Sequence, residues 1–248
     1  MTKILISDNV YYLNCLTIRP YFPRVIGGVT CLLAETNLGP VLVDTAVGIH
    51  DYQSKGLMRV FLKGLRSKFD LNETALYQVQ RLGYKPEDVK HVVITHMHLD
   101  HAGGLPDFPH ADIHIFEPEY EHIMRRPGWE FLPRHWAHGP KWVVHHLTNE
   151  KWYDFDAIPL KGFEPEIWMV PLAGHTPGLC GVAIRKEAGW ILYGSDAVPF
   201  DMRVDDVPDW ISKRLIGPHV PRIREFMKAH PEVQVVGAHM NLDFYEKT

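Results

Sequence analysis

Residues Thr95 to Gly104 read T-H-M-H-L-D-H-A-G-G, which places three histidines and an aspartate in the six positions from His96 to His101. The preceding run, Val92-Val93-Ile94-Thr95, is apolar and β-branched, so the cluster begins where a buried strand ends. Imidazole nitrogens and carboxylate oxygens are ligands of Zn²⁺ and similar borderline ions, and a loop leaving a rigid strand can aim several at one point. His96 and His98 lie two apart and face one side of extended chain, while Asp100 and His101 point elsewhere as the chain turns. That division suits two adjacent metals better than one.

Working outward, three further residues of the same ligand chemistry each follow an expected strand. His175 lies in A-G-H-T-P-G, where Gly174, Pro177 and Gly178 restrict the turn and lower the entropic cost of holding an imidazole. Asp196 follows I-L-Y-G-S, and His239 follows V-V-G-A. None would mean much alone, since turn histidines and post-strand aspartates are usually solvated or capping residues. Together they complete two sets: His96, His98 and His175 for one ion, and Asp100, His101 and His239 for a second. Asp196 has two oxygens and is placed to bridge. Two divalent ions, two carboxylates and a bridging hydroxide leave roughly +1 of charge, which a partly buried pocket tolerates better than neutral ligands alone.

The remaining sequence supplies a scaffold. At 248 residues, one domain spanning 1–248 is expected, with enough chain to bury a substantial core. With 46% hydrophobic and 23% charged residues and a net charge of −4, composition offers no general electrostatic reason to bind nucleic acid or a membrane surface. Cys15, Cys31 and Cys180 are an odd number without C-x-x-C spacing and read as buried thiols of a reducing compartment. No run of eighteen apolar residues occurs, and the opening M-T-K-I-L-I-S-D does not resemble a signal peptide; a cytoplasmic protein is expected, monomeric or homodimeric, with a small-molecule substrate.

Strands are expected over Leu13–Ile18 and Thr30–Thr36, with turns at Gly27-Gly28 and Asn37–Pro40, and then at Val41–Val43 running into Asp44. Ser54 is the expected cap of a helix burying Leu57, Val60, Phe61 and Leu65, whose Lys55, Arg59, Lys63 and Arg66 read as a solvated face; Asn72 is expected to open a second helix. Strands at Ile113–Phe116, Ile167–Val170, Val182–Arg185, Trp190–Tyr193 and Val233–Val236 follow, with helices at Glu119–Arg126 and after Pro218. Strand groups followed by helices, twice, predict two packed sheets with helices outside, a four-layer αββα sandwich of the α/β (α+β) class. Residues 127–162 interrupt this order with aromatics and histidines of little periodicity, as a pocket-covering lid or a packed excursion would. Trp129, Phe131, Trp136 and His138 from this insert, with Phe200, are the candidate apolar pocket.

With these residues assembled, the chain resembles the metallo-β-lactamase-fold hydrolases from V-D-T-A at Asp44 to His239, its H-x-H-x-D-H centre being specific to them. The resemblance implies the αββα sandwich with its metals at the edge between the sheets, and it assigns the seven ligands as above. Asp44 matches a carboxylate that orients a ligand histidine. T-H-M-H-L-D-H-A-G-G and A-G-H-T-P-G look most like the lactonase-type branch. L-N-C-L-T-I-R-P, W-A-H-G-P-K-W and D-F-D-A look like bacterial members named only as metallo-hydrolases. Where familiar lactonases carry a tyrosine three residues after the bridging aspartate, this chain has Pro199.

The implied activity is hydrolysis of an ester-like bond, a lactone before others, by metal-activated hydroxide. Two divalent ions, with zinc expected and iron, manganese or cobalt compatible, lower the pKa of a shared water from about 15.7 toward 7. Asp100 is the residue placed to take its proton. The competing expectations are a mononuclear-iron oxidoreductase of the same fold, similar to persulfide dioxygenases, and a phosphodiesterase, for which phosphate-binding basic loops are not evident.

Overall fold

The computed structural model describes residues 4–7, 9–19, 26–125, 128–198 and 217–241. The first sheet runs in the order β1 (Ile4–Ser7), β2 (Val10–Ile18), β3 (Gly27–Thr36), β4 (Gly39–Val43), β5 (His91–Val93), β6 (Asp112–Phe116) and β7 (Lys141–His145). The pairs β1 to β4 are antiparallel, whereas β4, β5, β6 and β7 are mutually parallel. After the short hairpin β8 (Lys151–Trp152) and β9 (Phe155–Asp156), the second sheet follows. Its order is β10 (Ile158–Leu160), β11 (Ile167–Pro171), β12 (Cys180–Lys186), β13 (Gly189–Tyr193) and β14 (Val233–Val236), with only β13 and β14 parallel. The last described strand, β15 (His239–Asn241), leaves the second sheet and pairs with β3 of the first.

Alternation along the strands builds the layers. Tyr12, Leu32, Val41, Val43 and Val93 point between the sheets and meet Met169, Val182, Ile184, Ile191 and Tyr193. Leu13, Leu33, Leu42, Val92 and Ile113 point outward, to Tyr52 of α1 (Ile49–Gln53), Met58 and Leu62 of α2 (Leu57–Gly64), Ala75 and Val79 of α3 (Ala75–Arg81) and Ile123 of α5 (Glu117–Arg125). The far face of the second sheet presents Val170, Ala183, Leu192, Val233 and Val235 to Val220, Ile223 and Phe226 of α6 (Val220–Ala229). The expected αββα sandwich is the observed one. Among the described residues no helix is long and apolar enough to cross a membrane.

Local expectations differ in four places. Gly27-Gly28 is not a turn: both lie inside β3, where Gly28 pairs with Thr17 on one side and Met240 on the other. Ser54 ends α1 instead of opening α2, which starts after Gly56 and leaves Val60 64% exposed while Met58 and Leu62 are buried. Asn72 lies in a short 3-10 turn capped by the Asp70 side chain, and α3 begins only at Ala75. The insert is more regular than its composition predicts: β7 extends the first sheet, and Trp152 and Phe155 pack in the outer core beside α6. Its aromatics serve burial at these positions, which hides any strand period.

The end of the ligand loop is locked by close backbone approach. A Cβ on Gly104 would lie 2.6 Å from the Thr45 carbonyl oxygen and 3.0 Å from the Thr45 Cβ. Gly104→Ala is therefore expected to destabilise the fold by about 1–3 kcal/mol, as overpacked sites do, measured by denaturant unfolding. An unchanged midpoint would show that the Asp44–Gly48 loop has room to retreat.

Candidate metal centre

The ends of β4, β5, β11, β13 and β14 meet at one edge of the sandwich, and each contributes to a single cluster. Asp44 follows β4; His96, His98, Asp100 and His101 follow β5, the last two on the one-turn helix α4 (Leu99–Ala102). His175 leaves β11, Asp196 follows β13, and His239 opens β15 directly after β14. Residues from Asp44 to His239 thus converge because parallel strands deliver their carboxyl ends to the same side.

Three groups of ligating atoms each gather within 4.8 Å: His96, His98 and His175; His96, His101 and Asp196; and Asp100, His101 and His239. In the first, His98 Nδ1 is 3.2 Å from His96 Nε2 and 2.9 Å from His175 Nε2. Nitrogens 2.0–2.1 Å from a tetrahedral zinc would be roughly 3.3 Å apart, so the triplet has the right size. Asp196 stands between the groups. Its Oδ2 is 3.1 Å from His175 Nε2 and 3.9 Å from His96 Nε2, and its Oδ1 is 3.2 Å from both His101 Nε2 and His239 Nε2. Asp100 Oδ2 lies 3.8 Å from His239 Nε2.

Hydrogen bonds behind the cluster set which nitrogens face it. The fully buried His101 has Nδ1 2.9 Å from Asp44 Oδ2, so its proton belongs on Nδ1 and its Nε2 lone pair turns toward Asp196. Thr95 donates its hydroxyl to Asp44 at 2.8 Å, leaving its oxygen to accept a hydrogen bond from His96 Nδ1 at 3.1 Å, which points His96 Nε2 the same way. Asp44 also accepts the Thr95 amide at 2.9 Å, and the Tyr193 hydroxyl lies 3.3 Å from its Oδ2. Two residues of this frame carry unusual backbone: Asp44 at φ 60° and Ser195 at φ 49°. Left-handed non-glycine residues cost of order 1–3 kcal/mol and persist where surrounding structure over-determines them. Here the constraints are the Asp44 hydrogen bonds and the 2.9 Å contact of Ser195 Oγ with Thr95 Oγ1.

The test of whether a cation fits lies in two buried atoms. His101 Nε2 and Asp196 Oδ1 make no hydrogen bond although they are 3.2 Å apart. Against burial, Asp196, Asp100 and Asp44 push the His101 pKa well up, so the carboxylates here call for positive charge at Nε2, which a proton or a bound metal ion supplies. The surroundings agree. Burial, with His101 and His98 beside it, pushes His96 well down, and burial and His175 bring His98 to about 4, so both stay neutral ligands. Against the cost of burial, Asp196 and Asp100 raise His239, while His239 and His101 hold Asp196 well below the usual carboxylate range. His96 and His98 are thus held neutral, while His101 and His239 are drawn toward the cationic form by the carboxylates beside them; imidazoles with anionic carboxylates are also the donor set of a divalent transition metal, which would take the place of those protons.

A cavity of about 400 Å³ opens over these residues, lined by Phe61, His98, Leu99, Asp100, Trp129, Glu130 and His175. Of the expected pocket residues, Trp129 lines it and is 69% exposed; Phe131 is buried beneath, its ring centroid 5.0 Å from that of His98. Trp136 packs against the helical side of the core and His138 is exposed, neither lining the cavity, and Phe200 lies outside the described residues. Arg134 and His135 both bind the buried carboxylate of Asp51, His135 at 3.0 Å, and Leu99 donates its amide to the Glu130 carbonyl at 3.1 Å.

Several residues escape a reading of the sequence. Phe61 reaches the cavity from α2, and Glu119, fully buried, accepts hydrogen bonds from Met97, Thr176 and Gly178. Glu119 sits among acids in E-P-E-Y-E, and a period of two or four does not tell the buried one from its half-buried neighbours.

The profile of the metallo-beta-lactamase superfamily matches residues 25–222. The chain belongs to the metallo-beta-lactamase superfamily. As a superfamily member it is a metal-dependent hydrolase. A probable metallo-hydrolase of Mycobacterium tuberculosis is 35% identical over 256 residues, covering 96% of this chain and 82% of that protein. An N-acyl homoserine lactonase of Bacillus thuringiensis is 30% identical over 172 residues, covering 68% and 63%. Among solved structures, a mutant of AiiA of B. thuringiensis with N-decanoyl-L-homoserine bound at its active site superposes with a TM-score of 0.72 at 22% identity, over 98% of this chain and 97% of that one. The dizinc quorum-quenching lactonase AidC, in complex with a homoserine product, gives 0.66 at 20%, over 96% and 90%. At these identities the superpositions establish the shared fold.

Asp44→Asn keeps the shape but lets the side chain offer an amide where His101 needs an acceptor. Metal affinity measured by chelator competition is expected to fall by about 10–100-fold, the usual effect of removing a partner behind a ligand. Wild-type affinity would show that Asp44 does not orient His101.

Proposed function

We propose that this chain hydrolyses ester-like bonds, lactones foremost, at a centre of two divalent metal ions. His96, His98 and His175 would hold one, Asp100, His101 and His239 the other, and Asp196 would bridge. The observation that carries this reading is the double-sided approach to Asp196: one oxygen faces His175 and His96, the other His101 and His239. Zinc is the ion proposed, on the nitrogen-rich ligand set. Ions bound there would acidify a shared water and polarise the scissile carbonyl.

The chain's own groups do the rest. Asp100 lines the cavity floor, with its Oδ2 3.8 Å from His239, positioned to accept the proton of the attacking water and pass it to the leaving alkoxide. Asp44 and Thr95 keep His101 and His96 in one tautomer, so their lone pairs remain directed inward through turnover. Phe61, Leu99 and Trp129 supply apolar walls suited to an acyl chain or ring. Relatives named N-acyl homoserine lactonase favour a lactone as the ester. The stretch from Trp129 to His135 acts as a fixed wall instead of a moving lid, because Arg134 and His135 grip Asp51 from inside.

Metal analysis should find two ions per chain, and chelation should abolish hydrolysis that added zinc restores. Asp100→Asn, assayed at saturating zinc because it also removes an anionic ligand of the second ion, is expected to lower kcat by about 10²–10⁴-fold, the range of a lost acid–base group. A panel of lactones, thioesters, β-lactams and phosphodiesters assigns the bond; failure on every lactone would end that substrate reading. Asp51→Asn should raise KM with little change in kcat, and an unchanged KM would remove the fixed-wall assignment.

A further inference from the structure

Glu119 takes no part in the chemistry above, yet it is fully buried against the centre. Its two oxygens serve different sheets. Oε1 accepts the amide of Met97 at 2.8 Å, between His96 and His98 on the loop after β5. Oε2 accepts the Thr176 hydroxyl at 2.7 Å and the Gly178 amide at 3.0 Å, on the loop that carries His175. The contact leaves no slack, because a Cβ on Gly178 would fall 2.1 Å from the Glu119 backbone nitrogen. Two of the three partners can only donate, and together the three suit a carboxylate that spans both loops with one side chain.

We propose that Glu119 is the positioning residue that sets the spacing of His96 and His98 from His175, and so the affinity of the three-histidine half of the centre. This rests on the two-metal reading. The other half has its own support: Asp44 holds His101, and the Ala238 carbonyl before His239 accepts the Thr30 amide at 2.8 Å. Loss of Glu119 therefore acts on one ion and spares the other. Glu119→Gln separates positioning from packing because it preserves volume. Its single carbonyl oxygen can serve one loop, while its amide nitrogen faces an N–H of the other, donor against donor.

The test is zinc titration against a chromophoric chelator, for wild type, Glu119→Gln and Thr176→Val, with cobalt-substituted spectra of each and thermal unfolding of the metal-free proteins. In Glu119→Gln, one equivalent is expected at wild-type affinity and the other weakened by about 10–100-fold, the cobalt band of the weakened ion shifting; metal-free unfolding moves to lower temperature, as a buried donor facing a donor requires, without loss of the second ion. Thr176→Val, which removes only the hydroxyl donor, should weaken the same equivalent by severalfold; it carries the test if Glu119→Gln does not fold. Two equivalents at wild-type affinity in both variants would overturn the proposal. Equal weakening of both ions would overturn it as well, leaving Glu119 a packing group. A wild-type protein that takes up one ion would refute the two-metal reading separately, and the ratio of wild-type to Glu119→Gln affinity for that ion would still decide the role of Glu119.

Discussion

The Asp44 carboxylate is the constraint on which the centre depends. It stands at the end of β4 in a left-handed backbone conformation, receives the Thr95 amide and hydroxyl from the loop after β5, and meets His101 from α4. Tyr193, from the second sheet, brings its hydroxyl to the same group while donating to the Thr30 carbonyl of β3 at 2.7 Å. One buried acid thus joins two sheets, and the direction of two imidazoles follows from it. Leaving such a group unpaired would cost several kcal/mol, so its hydrogen bonds hold the strained backbone in place.

Around that point the molecule separates two tasks. The interior between the sheets is apolar and closed, and provides stability. The edge where the parallel strands end collects the candidate ligands, and there Asp44, Asp100 and Asp196 are interleaved with the imidazoles, offsetting the charge of His101 and His239 while burial keeps His96 and His98 neutral. His98 and His175 meet through nitrogens 2.9 Å apart, a spacing that one shared proton satisfies and that two protonated rings would not tolerate. The apolar side of the cavity comes from elsewhere: α2 lends Phe61, and the insert lends Trp129.

Much of this was legible in the amino-acid order because ligand chemistry is local and strand ends are conspicuous. T-H-M-H-L-D-H and A-G-H-T-P-G announce themselves, and apolar runs before Asp44, Asp196 and His239 put those residues at strand termini, where the structure has them. What escaped depends on contacts distant in sequence. Gly27-Gly28 looks like a turn until β15 arrives alongside β3, some two hundred positions later, to make it a strand. Val60 fits an apolar helical stripe, but with α2 starting at Leu57 the buried stripe falls on Met58 and Leu62. In the aromatic insert, Trp152 and Phe155 face α6 and Trp129 faces solvent, a division set by tertiary placement and not by residue type. Glu119 is a comparable case: nothing in E-P-E-Y-E marks the acid that two loops share.

The crossing of the chain from β14 in the second sheet to β15 in the first bears on biogenesis. His239 sits at that crossing, so it reaches its neighbours only once the two sheets are closed on each other. A nascent polypeptide that has emerged as far as Asp196 already carries most of the candidate donors but lacks His239 beside them. On the two-metal reading, uptake of both ions would therefore report completed folding, and a chain arrested short of that crossing would compete poorly for scarce metal.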